Sequence, residues 1–160
     1  MTHRSAGDQT GGGDNPETFV AEIFEETEAA VCAALAGAAP EAAPRIAAAV
    51  EVILGAASRR RQDFRLALGV PGPAGPAVLD LQVSTCGKLK ALLHEARAES
   101  RHPPPPARHE ELIAWGFIWW LRYTLERGED PVSKRSEILQ VLWLSLFDHE
   151  RLPELEATSR

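Results

Sequence analysis

At 160 residues the chain has the length of one domain, and a chain of this size buries enough surface to fold without a disulfide or metal staple. Its 44% hydrophobic and 25% charged residues lie near the globular average, which excludes wholesale disorder, collagen-like repeats and low-complexity scaffolds. A net charge of −6 weighs against nucleic acid as the main partner, because such binding draws on neutralised phosphates and usually shows a basic face.

Residues 1–16 include Gly11, Gly12 and Gly13 and almost nothing apolar, so a disordered tail is expected, with a second tail at 150–160. The stretch from Met1 lacks the apolar core of a secretory signal. No run approaches the roughly 18 apolar residues of a transmembrane helix. Cys32 and Cys86 are too few for a disulfide framework, so a reducing, cytoplasmic setting is expected.

From Glu17 onward Val20, Ile23, Phe24, Thr27, Ala30, Val31, Ala34 and Leu35 recur at spacings of three and four, predicting an amphipathic helix. Its outer face carries Glu17, Glu22, Glu25, Glu26 and Glu28, and Gly37 and Pro40 end it. A second helix begins near 41–44, and Ile46, Val50, Ile53, Leu54, Ala57, Phe64 and Leu68 continue one stripe along it. The basic cluster Arg59, Arg60, Arg61 and Arg65 reads as a solvated helix end, where cations complement the dipole. Three prolines and three glycines over 69–76 then break the pattern.

Val78, Leu79, Leu81 and Val83 predict a short helix, a short strand over 77–83 being disfavoured for want of a partner. Gly87 is expected to interrupt before Leu89, Leu92, Leu93 and Ala96 resume the pattern. The prolines from Pro103 to Pro106 predict a polyproline connector.

The helix over 110–127 has two apolar stripes: Leu112, Trp115, Gly116, Trp119 and Tyr123 on one side, and Ile113, Phe117, Trp120, Leu121, Thr124 and Leu125 on the other. Asp130 is placed to cap the next helix, with Pro131 as its first residue. That last helix is also apolar on more than one side, through Ile138, Val141, Leu142 and Leu146 and through Leu139, Trp143, Leu144 and Phe147. A monomer needs only one apolar face per surface helix. A hairpin of two-faced helices is therefore expected to pair with the same hairpin of a second chain, as a two-fold four-helix bundle. The fold class is all-α, an antiparallel bundle of about five to six helices over 17–149.

No nucleotide, hydrolase or metal motif occurs, so neither an enzyme nor a cofactor is expected. His94, His102 and His109 lack metal-ligand spacing and read as loop histidines, and Cys86 reads as a small core residue. The four tryptophans, Trp115, Trp119, Trp120 and Trp143, all fall in the last two helices, where aromatics serve cores, interfaces or ligand pockets.

Taken in order, the segments PETFVAEIFEETEAAVCAAL, APRIAAAVEVIL with RQDFRLALG, GKLKALLHEARAES, EELIAWGFIWWLRYTLERGEDP and SEILQVLWLSLF resemble helices of the C-terminal regulatory domain of TetR-type transcriptional repressors. The family's N-terminal helix-turn-helix has no counterpart, its place being taken by Gly11-Gly12-Gly13-Asp14-Asn15, so DNA contact is not expected from this chain. The resemblance implies a non-enzymatic domain that dimerises through its last two helices and senses a small, mostly apolar effector. It implies a pocket walled by Phe64, Leu68, Leu89, Leu93, Trp115 and Trp119, with Cys86 and Arg122 as polar contacts. The dimer interface is then expected on Ile113, Phe117, Trp120, Ile138, Leu142, Trp143 and Leu146. The alternative is a protein-interaction module that pairs with itself or with an intact regulator of that type.

Overall fold

A computed structural model of the chain describes residues 16–69, 76–98 and 108–147. Of the expected tail over 1–16 and break over 69–76, Pro16 and Pro76 instead open helices. Residues 1–15 and 70–75, the tail at 150–160 and the polyproline connector with His102 lie outside the described residues, as do the side chains of Leu81, Ala96 and Phe147. The described elements are α1 (Pro16–Gly37), α2 (Ala42–Arg59), α3 (Arg61–Ala67), α4 (Pro76–Ala98), α5 (His109–Glu126), a 3₁₀ turn (Pro131–Lys134) and α6 (Arg135–Phe147). None of them is a strand, so the all-α expectation holds.

Helix α2 is the axis of the bundle and packs against α1, α3, α4, the 3₁₀ turn and α6. Its small residues Ala43, Ala47, Ala49 and Ala57 are buried together with Ile46, Val50 and Leu54. Alanine suits this role because it favours the helix and lets neighbouring backbones come close. Ion pairs fasten the outside: Arg45 to Glu95 at 2.9 Å joins α2 to α4, and Arg135 to Glu51 at 2.8 Å joins α6 to α2.

Three boundaries differ from expectation. The stripe from Ile46 to Leu68 is carried by two helices, because Arg60 takes a non-helical backbone (φ −112°, ψ 46°) between α2 and α3. The Arg60 side chain pairs with Asp63 at 2.9 Å and with Glu26, which ties this corner to α1. Helix α4 runs unbroken through Gly87, held by the buried row Gln82, Cys86, Leu89, Leu92 and Leu93. Asp130 does cap, its Oδ1 accepting from the Val132 amide at 3.3 Å and from Ser58 Oγ at 2.7 Å. What it caps is the 3₁₀ turn opened by Pro131, and α6 begins four residues later.

The largest correction concerns which faces of α5 and α6 point inward. The two helices are antiparallel, His109 at the start of α5 meeting the Ser145 carbonyl near the end of α6 at 2.7 Å. Of the expected interface residues, Phe117, Ile138, Leu142, Trp143 and Leu146 are buried in the chain's own core, while Ile113 and Trp120 are half-buried against it. The outward face is the other one: Leu112 is 71% exposed and Trp119 58%, with Tyr123, Val141 and Leu144 also exposed. Both stripes of α5 are apolar, so period alone does not choose between them. The buried stripe, Ala114, Phe117, Ile118, Leu121 and Leu125, carries a charge only in its first turn, at Glu110, whereas Trp115 and Trp119 share their side with Arg122 and Glu126 in the middle and last turns. Burying those charges would cost more than burying either set of apolar groups gains.

Candidate functional site

Between α1, α2, α3, α4 and α5 lies a cavity of about 220 Å³. Helix α1 contributes one helical stripe, Phe24, Thr27, Glu28, Val31, Cys32 and Leu35. Helix α2 gives Ala49 and Ile53, and Phe64 and Leu68 come from α3 and its end. Helix α4 gives Gln82, Thr85, Lys88, Leu89 and Leu92, and α5 gives Phe117, Ile118 and Leu121.

The cavity lies where the second half of α1 packs less deeply on the core than the first. Val20 and Ile23, in its first two turns, are buried; Phe24, Val31 and Leu35 beyond them stay partly exposed. The floor from α2, α3 and α5 is entirely apolar. Polar groups gather on α1 and α4, where Glu28 and Lys88 form an ion pair across the two helices. Both charges are well exposed, so the pair marks the rim and is worth little energetically. Thr27 donates its hydroxyl hydrogen to the Ile23 carbonyl at 2.7 Å, and the buried Gln82 donates through Nε2 to the Ala67 carbonyl at 3.4 Å.

Of the expected pocket residues, Phe64, Leu68 and Leu89 line this cavity. Cys86 and Leu93 are buried in the core and are not among its lining residues. The Cys86 thiol faces the Glu111 carbonyl at 4.0 Å. Its pKa is pushed up by burial first and by the Glu111 carboxylate second, with Lys90 opposing, so it is held as an unreactive thiol. Trp119 and Arg122 belong to the outer side of α5, with the Arg122 guanidinium 5.1 Å from the centre of the Trp119 ring, and Trp115 is half-buried against the core; none of the three lines the cavity. Phe117, expected at the dimer interface, is a cavity residue.

The wall from α1 and the polar positions Gln82, Thr85 and Lys88 were not anticipated from sequence. A signal for them does exist: Thr27 and Glu28 interrupt the apolar stripe of one helix, and Gln82, Thr85 and Lys88 interrupt that of another. Polar interruptions on two inward stripes mark a seam that does not close as solid core.

Elsewhere the charged groups serve the fold. Arg60 and Arg61 of the basic cluster bind Glu26, Asp63 and the Glu129 carbonyl. His94 approaches the buried Glu110 at 3.7 Å. Among the described residues no group of three His, Cys, Asp or Glu side chains is arranged to hold a metal ion, and no helix is long and apolar enough to cross a membrane. No known protein family, curated protein or solved structure matches the chain.

Proposed function

We propose that the chain is a non-enzymatic regulatory domain of the TetR type, which binds a small, mostly apolar effector and pairs with a second copy through α5 and α6. The observation that carries this is the apolar cavity with its charged rim. An apolar cavity of roughly 150 Å³ is enough to take up benzene, so about 220 Å³ suits a single substituted ring. Binding there would draw α1 toward α4 and α5, and α1 is the element through which the resemblance joins the sensing domain to a DNA-binding head. The exposed apolar residues of α5 and α6 support the pairing, since a free monomer rarely leaves such a face in water.

Filling the cavity tests this proposal. Ala49 is fully buried at the floor, and Ala49→Leu puts a helix-favouring side chain into empty space. The variant is expected to be at least as stable as the wild type. Toluene, indole and similar single-ring or fused-ring compounds should raise the Tm of the wild type alone, since a native-state ligand adds about 2.7 kcal/mol at a hundredfold excess over Kd. Equal shifts in both proteins, or none in either, would overturn the cavity as the site.

A further inference from the structure

One polar side chain is buried in the inner wall of the cavity. Gln82 is only 7% exposed, and its Nε2 donates to Ala67, whose carbonyl is the last of α3 and lies beyond that helix's own ladder of hydrogen bonds. A carbonyl only accepts, so this contact fixes which end of the amide is nitrogen. The end left for a ligand is Oε1, an acceptor that cannot donate. Among the other polar groups of the wall, Thr27 spends its proton on the Ile23 carbonyl and so also offers only an acceptor, but it is half-buried where Gln82 is buried. Glu28 and Lys88 neutralise each other at the rim, and the Thr85 hydroxyl and Cys32 thiol can act either way.

We infer that the cavity selects a neutral single-ring molecule bearing one hydrogen-bond donor, a phenol, whose hydroxyl donates to Gln82 Oε1. Its ring would fill the space among Ile53, Phe64, Phe117 and Leu121. A purely apolar cavity rejects a phenol, because the hydroxyl gives up its hydrogen bonds to water and gains none. Placing one acceptor in the wall reverses that preference, and a site built to bond a hydroxyl discriminates strongly against the analogue without it. Carboxylates are excluded by the same oxygen, which would face theirs with no proton between them.

This inference rests on the cavity being a ligand site, and a matched pair of probes separates the two claims. The compounds p-cresol and p-xylene have nearly the same shape and differ by a hydroxyl in place of a methyl. Titration of the full chain by NMR is expected to show p-cresol bound at least as tightly as p-xylene. In Gln82→Met, which keeps the length of the side chain, the ratio of the two affinities should move toward p-xylene by about tenfold, the loss of one hydrogen bond. A wild type that takes p-xylene and refuses p-cresol, or a ratio that Gln82→Met leaves unchanged, overturns the phenol assignment while the ligand site stands. Failure of both compounds to bind the wild type overturns the site and the assignment together.

Discussion

Cys32 and Cys86 are chemically the same side chain in two environments that the fold makes different. Cys32 is exposed on α1 at the cavity, whereas Cys86 is buried between α4 and α5 with its ionisation held back by burial and by the Glu111 charge. Only the thiolate reacts, so Cys86 is doubly protected, by access and by protonation. A disulfide reagent such as Ellman's is expected to modify one thiol per chain rapidly in the native protein and the second only after denaturation. Cys32→Ser should abolish the fast phase, and a ligand in the cavity should slow it. Fast modification of Cys86 in the native chain would mean that the seam between α4 and α5 is open. From sequence, Cys86 was legible as a small core residue, whereas its expected contact with a ligand was not met. Spacing places a residue on a helix face but does not say whether that face meets void or side chains.

At the level of elements, helix existence was legible almost everywhere, because apolar residues at three and four apart have few other uses. Continuity was less so, since it turns on single residues whose local cost the packing can override. Gly87 shows this. Glycine in a helix interior costs about 0.5–1 kcal/mol relative to alanine, which made a break there plausible. Five buried residues on the same face of α4 outweigh that cost. The glycine remains a liability with no compensating contact, for a Cβ at position 87 would meet nothing within 4 Å. Gly87→Ala should therefore stabilise the protein by about 0.5–1 kcal/mol, read as a higher urea midpoint with an unchanged slope. Destabilisation would show that α4 needs a flexible point there. The opposite failure occurred at Arg60, where no glycine or proline marks the corner between α2 and α3. The contacts made there are of two kinds, a local pair to Asp63 three residues on and a tertiary one to Glu26 of α1, and only the first could be read from local sequence.

For the whole molecule the open question is what covers the outer face of the α5–α6 hairpin. Two arginines shield it in part: Arg122 lies over Trp119 at 5.1 Å and Arg127 over Tyr123 at 5.5 Å. Such contacts are worth about 0.5–1 kcal/mol at exposed sites. Burying the exposed half of one tryptophan is worth roughly 2–3 kcal/mol at about 25 cal/mol per Å². In the proposed dimer, burial of this whole face would have to exceed both the shielding and the cost of association, and a two-fold axis would place Leu112, Trp119, Tyr123, Val141 and Leu144 of each copy against the same face of the other. The position of the substitution decides the outcome. Leu142, at 3% exposure, belongs to the core of a single chain, so Leu142→Asp should unfold it, costing about 4 kcal/mol or more for an unpaired buried charge. Trp119→Glu combined with Leu144→Glu touches only the outer face and should leave helix content unchanged by circular dichroism. Sedimentation at tens of micromolar should show the wild type as a dimer and this double variant as a monomer. A wild type that stays monomeric at high micromolar concentration, or a double variant as dimeric as the wild type, would remove the hairpin face as the interface.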